Sequence, residues 1–210
     1  MGKIIKLTEN QFSEMMAYHG SSADFDKFNH KKYLDTGAGD HAFGWGTYVT
    51  DDETIGRSYA SDDMEVDFMK RFQSNVGQEE KRGVLYEVDI PEDDGSNYID
   101  WYKPVSMESK FRILRKLSYL EQRFNFEASN SLYEALARNG NVVGGQLYRM
   151  LMNDLGSEKA ASLFLMQCGF DGIKYEEGIN YQKHNGASED AYNYVIFDAN
   201  KVKIIDKTKV

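Results

Sequence analysis

Strand-forming segments lie towards the two ends of this chain and helix-forming segments fill its middle, and that division constrains the fold more than any other feature. Val84, Tyr86, Val88 and Ile90 alternate with less apolar neighbours, the pattern of a half-buried strand, which stops at Pro91 and the acidic turn Glu92-Asp93-Asp94-Gly95. Ala17-Tyr18-His19-Gly20 and Thr47-Tyr48-Val49-Thr50 read as strands near the start, and residues 170–175, 193–197 and 201–205 as strands near the end. Between them, residues 107–137 carry Phe111, Leu114, Leu117 and Leu120 at helical spacing. Residues 145–155 and 158–167 make two more helices, the second ending at Gly169. Thr8 is a candidate N-cap for a short helix over residues 8–17 with Phe12, Met15 and Met16 on one side, and residues 62–80 also read as helical. Runs of this order favour an α+β fold with antiparallel pairing over a repeating βαβ wheel. The expectation is a single domain over residues 1–210, with residues 106–168 as a helical lobe packed on the sheet.

Composition narrows the partners. The chain is 41% hydrophobic and 13% aromatic, enough for a real core, and its net charge of −9 works against non-specific nucleic-acid binding. Cys168 is the single cysteine, so neither an internal disulfide nor a cysteine metal site is expected, and it reads as a buried small hydrophobe. The first residues have no long apolar core or small-residue cleavage pattern, and no run approaches the ~20 apolar residues of a membrane helix. A soluble, cytoplasmic product is expected, with delivery elsewhere by a dedicated machine leaving no trace.

The residues with chemical interest are concentrated between Tyr18 and Ala60. Gly20 has no Cβ, so a ligand can approach its backbone, where N–H and C=O can grip a carboxamide in two directions. His19 beside it can hydrogen-bond a sugar hydroxyl, and Tyr48 and Tyr59 can flank a flat ring. Together these groups suit a nicotinamide ribose. Phe43 and Trp45 read as wall or core, and His30, His41 and His184 as surface residues. Asp51-Asp52 reads as the cap of the helix that carries Tyr59, with no metal site implied. The Gly-Trp-Gly run lacks the lysine and glycine spacing of a phosphate loop.

In this order, Tyr18-His19-Gly20-Ser21, Phe43-Gly44-Trp45-Gly46-Thr47-Tyr48-Val49-Thr50-Asp51 and Ser58-Tyr59-Ala60 resemble the ADP-ribosyltransferases of the His-Tyr-Glu class, which includes diphtheria toxin and the poly(ADP-ribose) polymerases. Within that class the chain most resembles the domains found in large polyvalent proteins of phages and mobile elements. The resemblance extends over residues 85–91, 169–175 and 193–198, nearly the whole chain, and is weakest over residues 106–138. It implies two small antiparallel sheets split around a cleft, with flanking helices. It also implies NAD as a consumed co-substrate and mono-ADP-ribosylation of an acceptor, most simply protein. His19 would hold the ribose and Gly20 the carboxamide, Tyr48 and Tyr59 would frame the nicotinamide ring, and Ser21 would complete the NAD-binding set, with His19, Tyr48 and Asn193 as the catalytic residues.

Two positions depart from that family. Its catalytic glutamate opens a late strand of the type Glu-Tyr-apolar-apolar-aromatic-Asp, and here that strand reads Asn193-Tyr194-Val195-Ile196-Phe197-Asp198. Asn193 can hydrogen-bond a ribose hydroxyl but supplies no negative charge to an oxocarbenium-like centre and accepts no proton. That argues against chain elongation and leaves single transfer, NAD hydrolysis or NAD/ADP-ribose binding without turnover as the alternatives. Glu176, Glu177, Glu189 and Asp190 are the nearby acids in sequence, Glu189 being the favoured stand-in. The second departure is Gly56, where the family often has a serine that helps hold the carboxamide.

Overall fold

A computed structural model of the chain describes residues 14–30, 42–60, 83–124, 126–137, 139–176, 188 and 190–210. Strand β1 (Glu14–Ser21) begins within the segment whose methionines suggest a helix. It pairs along its whole length with β3 (Val84–Pro91), in unbroken antiparallel register from Glu14↔Pro91 to Ser21↔Val84. Eight consecutive pairings outweigh a helix propensity worth only tenths of a kcal/mol per residue, which is why the expected helix fails from residue 14 onward. Its first residues, 8–13, and the expected helix over 62–80 lie outside the described residues.

Strand β2 (Thr47–Thr50) leads into helix α1 (Glu53–Ala60), and β4 (Tyr98–Asp100) follows β3. Helices α2 (Met107–Phe124), α3 (Asn130–Leu136), α4 (Gly144–Leu155) and α5 (Glu158–Gln167) come next. The chain closes with β5 (Gly172–Glu176), β6 (Tyr192–Ile196), a 3-10 turn (Ala199–Lys201) and β7 (Lys203–Lys209). The strands form one mixed seven-stranded sheet in the order β4-β5-β6-β2-β1-β3-β7. The α+β class expected from the element order is therefore present.

The expected pair of separate antiparallel sheets is not. Two halves, β4-β5-β6-β2 and β1-β3-β7, are joined into one sheet through a single residue pair, Tyr18↔Thr50. Nor is all the pairing antiparallel: β4 runs parallel to β5. A parallel pair needs a long crossover, and α2 to α5 provide it. Three residues of β4 are too few to show a period, so this strand is not legible in the sequence.

The crossover helices cover one face of the sheet, where Ile99, Ile173, Val195 and Phe197 pack with Leu117, Leu147, Leu151 and Leu165. The opposite face buries Val49, Tyr86, Val88, Tyr194 and Ile196 with Phe28 and Val202, as alternation along each strand requires. The helical run expected over 107–137 is broken. Ser129 caps α3 by accepting from the Leu132 N–H, which separates it from α2. Ile113 and Leu117 form the buried stripe of α2, while Phe111, expected in it, is 64% exposed because it lies on the opposite side of the helix. Helix α5 ends as expected, with Gly169 at φ +86°. Cys168 is half-buried, and burial pushes its thiol up to about 12. Among the described residues no helix is long and apolar enough to cross a membrane.

Candidate functional site

The narrow join between β1 and β2 organises the site. Antiparallel register places Glu87, Tyr18, Thr50, Asn193 and Tyr175 in one row across β3, β1, β2, β6 and β5, all on the same face. Tyr48, two residues before Thr50, shares that face, whereas His19 lies on the other, opposite Tyr86. On that second face His19 is set among aromatic rings: Phe28 edge-on at 5.1 Å, Tyr86 at 6.0 Å and Phe25 at 6.1 Å between centroids.

His19 bridges the join. Its Nδ1 lies 2.7 Å from the Tyr48 carbonyl oxygen. A carbonyl only accepts, so Nδ1 carries the hydrogen, and in the neutral ring Nε2 is left as an acceptor. Burial lowers the His19 pKa below 6.5, partly offset by the Tyr48 carbonyl, so the ring is neutral at pH 7. A neutral imidazole with an acceptor nitrogen is the form that receives a hydrogen bond from a sugar hydroxyl. The same shift ties stability to pH. Between the folded-state pKa and 6.5 the unfolded chain binds a proton that the folded chain refuses. Stability should therefore fall as pH drops through 6.5 and level off below the folded pKa. Urea midpoints across this range should show that slope in the native chain and a flatter profile in His19→Gln. Equal slopes in both would contradict it.

Gly20 sits where helix α1 crosses β1. A Cβ built there would lie 2.1 Å from the Gly56 carbonyl oxygen and 2.4 Å from the Ala60 nitrogen. The glycine therefore permits the close approach of α1, which brings Tyr59, 49% exposed, beside the histidine-glycine strand. Ser21 ends the strand, and its hydroxyl oxygen accepts the Ala23 N–H at 3.1 Å.

The Tyr48 hydroxyl is committed within the protein. That hydroxyl donates to the Gly44 carbonyl at 2.7 Å and accepts from the Phe43 N–H at 3.3 Å, so it holds the turn preceding β2. Its ring is half-buried against the core on the helical side of the sheet. Gly44 is needed at φ +109°, and a side chain there would strike the ring of Tyr148 at 2.8 Å. The Tyr148 hydroxyl accepts from the Trp45 N–H at 3.1 Å and lies 2.8 Å from the Glu158 carbonyl, anchoring this turn to the helical lobe. Trp45 is buried in this anchor, as expected. His30 is not a surface residue: it is half-buried, edge-on to Trp45 at 4.4 Å, with Nε2 2.8 Å from the Thr47 hydroxyl. His41 and His184 lie outside the described residues.

Asn193 is 3% exposed, between Thr50 and Tyr175 in the row. Tyr175 stacks on Phe43 at 3.8 Å and 8°, making a flat aromatic wall that sequence reasoning did not assemble, because the two rings are distant in the chain. Another unread feature is the double use of Asp52. One oxygen caps α1 through the Thr54 and Ile55 N–H groups, and the other accepts from the Ser188 N–H at 2.8 Å. Burial raises the Asp52 pKa, but the Ser188, Ile55 and Thr54 donors outweigh it and hold the carboxyl below its ordinary value. Asp51 accepts from the Tyr192 N–H at 2.8 Å, and burial keeps its carboxyl above the ordinary value. These two aspartates fasten the start of β6, and with it Asn193, to the end of β2.

Glu189 and Glu177 lie outside the described residues. Glu176 belongs to the face opposite Asn193, since Tyr175 is the residue paired with Asn193. Its carboxylate accepts from the Tyr192 hydroxyl at 2.9 Å and pairs with Lys103 at 3.1 Å. Among the described residues no group of three or more His, Cys, Asp or Glu is gathered to hold a metal ion. A scan against protein-family models, a search of curated proteins and a search of solved structures each found no match to this chain.

Proposed function

We propose that this chain is a mono-ADP-ribosyltransferase that cleaves NAD at the nicotinamide glycosidic bond and passes ADP-ribose to an acceptor, in the first instance protein. One observation carries the reading. The strands bearing His19, Tyr48 and Asn193 are widely separated in sequence, yet β1, β2 and β6 are consecutive in the sheet and meet at its narrowest join. The support for an ADP-ribosyltransferase-like fold is coarser than two separate sheets: two halves of one sheet that meet through a single residue pair.

In this mechanism NAD lies across the β1–β2 join: from one face the neutral His19 accepts a ribose hydroxyl at Nε2, the Gly20 backbone grips the carboxamide, and Tyr48 and Asn193 approach from the other face. Ser21 borders that strand end, and the rings of Tyr48 and Tyr59 flank nicotinamide. The Asn193 amide hydrogen-bonds the nicotinamide ribose. The C1′–N bond breaks, its electron pair leaves with nicotinamide, and the acceptor nucleophile bonds to C1′ while its proton passes to solvent. The driving force is positioning of the ribose, because Asn193 carries no charge and the nearby Asp51, Asp52 and Glu176 carboxylates each accept hydrogen bonds from protein groups.

That last observation favours a second reading, a module that binds NAD or ADP-ribose with little turnover. NAD hydrolysis, with water as acceptor, lies between the two. Incubation with NAD labelled in the adenylate moiety and a cell lysate separates them. Transfer gives labelled macromolecule and free nicotinamide, hydrolysis gives free ADP-ribose, and binding alone gives neither product with saturable retention of label. Failure of NAD and ADP-ribose to bind at all would sink the site assignment itself.

A further inference from the structure

We propose that the solvent face of α2 (Met107–Phe124) is a docking surface for single-stranded nucleic acid. It is independent of the NAD reading: α2 belongs to the crossover packed on the β4 side of the sheet, away from the β1–β2 join.

The face is unusual in an acidic chain. Phe111, Tyr119 and Phe124 are 64%, 47% and 65% exposed. Arg112, Arg115, Lys116 and Tyr119 line an open depression of about 380 Å³. Phe111, Arg115, Tyr119 and Arg123 recur every fourth residue, so they form one row with steps of about 6 Å along the helix. Ring, cation, ring, cation is the order of this row. The Tyr119 ring has Lys116 Nζ at 5.1 Å and Arg123 Cζ at 6.0 Å from its centroid. Arg112 is held rigidly by the Cys168 and Ser96 carbonyls and by the Phe170 ring at 4.0 Å, and contributes a fixed charge to the floor of the depression. Of the two acids in α2, Glu108 stands at its start, and Glu121 accepts the Ala128 N–H at 3.2 Å in the connection to α3.

The choice of partner follows from what each candidate offers. A second copy of this face would set arginine against arginine across a two-fold contact. An acidic peptide would match the cations but leave the exposed rings unused. A duplex offers phosphates but keeps its bases stacked inside. A single strand offers both phosphates for Arg115, Lys116 and Arg123 and unstacked bases for Phe111 and Tyr119. The net charge of −9 does not forbid this, because at ~0.1 M salt charges beyond ~10 Å are largely screened and the local cations dominate.

Fluorescence anisotropy of the full chain with a labelled oligothymidylate of ~20 nucleotides tests the assignment. A duplex of equal length and polyglutamate are the comparison probes. The single strand should bind with affinity that falls steeply as salt rises, and at least about tenfold more tightly than either comparison probe. Arg115→Glu/Arg123→Glu and Phe111→Ala/Tyr119→Ala should each weaken it at least about tenfold with thermal midpoint unchanged, while Arg115→Lys/Arg123→Lys keeps most of the affinity. Equal binding of duplex or polyglutamate would reduce the face to a charge patch and overturn the proposal. So would absence of binding at low salt, or full affinity in the double alanine variant.

Discussion

Gly20→Val is expected to destabilise the fold by about 3 kcal/mol or more, and Gly20→Ala by a smaller amount of the same sign. At an open strand position the change to alanine would be neutral or slightly favourable, because it restricts the unfolded chain. Here the added carbon meets backbone: the Gly56 oxygen at 2.1 Å, the Ala60 nitrogen at 2.4 Å and the Tyr59 carbonyl carbon at 2.7 Å. Backbone atoms of a helix cannot rotate aside as a side-chain end can, so α1 must lift from β1. Gly56→Ala probes the same interface from the other side, where the new carbon would meet Tyr18 Cβ at 2.7 Å and Leu85 Cδ1 at 3.0 Å. Urea unfolding midpoints measure both. Because α1 carries Tyr59, a lifted helix should also weaken NAD binding in whatever fraction stays folded. If Gly20→Ala keeps the native midpoint, the close packing of α1 on β1 is wrong.

The second large effect runs in the opposite direction. Asn193→Glu should raise the rate of NAD cleavage by about 10²–10³, the range over which one well-placed electrostatic group acts on a developing charge. Position 193 is 3% exposed, and water screens a charge poorly there. Burial would also raise the pKa of the new carboxyl, so the gain should appear as pH rises through that pKa. Asn193→Ala should weaken NAD binding without altering products, since the amide that hydrogen-bonds the ribose is removed while position 193 carries no charge in either form. Nicotinamide release and equilibrium binding at several pH values read both changes. A folded glutamate variant with native turnover, beside an alanine variant with native affinity, would remove Asn193 from the ribose.

What was legible in the sequence was local. Val84 to Ile90 shows its strand through alternation, and α4 and α5 are visible because each stripe fits within one window and ends at a helix stop, Gly156 or Gly169. Strand β1 was only half legible: Glu14 to Met16 are strand because β3 lies beside them, and nothing within those residues says so. Phe111 was misread because an apolar residue at roughly helical spacing looks like core whichever side it occupies. In the site, His19-Gly20 and Tyr48 stand out by residue type. The Phe43–Tyr175 stack, the second role of Asp52 at Ser188 and the His30–Thr47 contact join distant segments and have no local signature.

The chain's own residues therefore determined most element types, the α+β class and the gathering of His19, Gly20, Tyr48 and Tyr59 in one early stretch, because propensity and periodicity act over a few neighbours. Tertiary structure alone decided that the two halves of the sheet meet at Tyr18 and Thr50, and that Asn193 stands opposite Thr50. It also decided that the Tyr48 hydroxyl is committed to its turn and that α2 turns its rings and arginines to solvent. The physical reason is that strand order and register are set by hydrogen bonds and packing between segments far apart in the chain. A one-residue slip in that register would move Asn193 to the other face of the sheet.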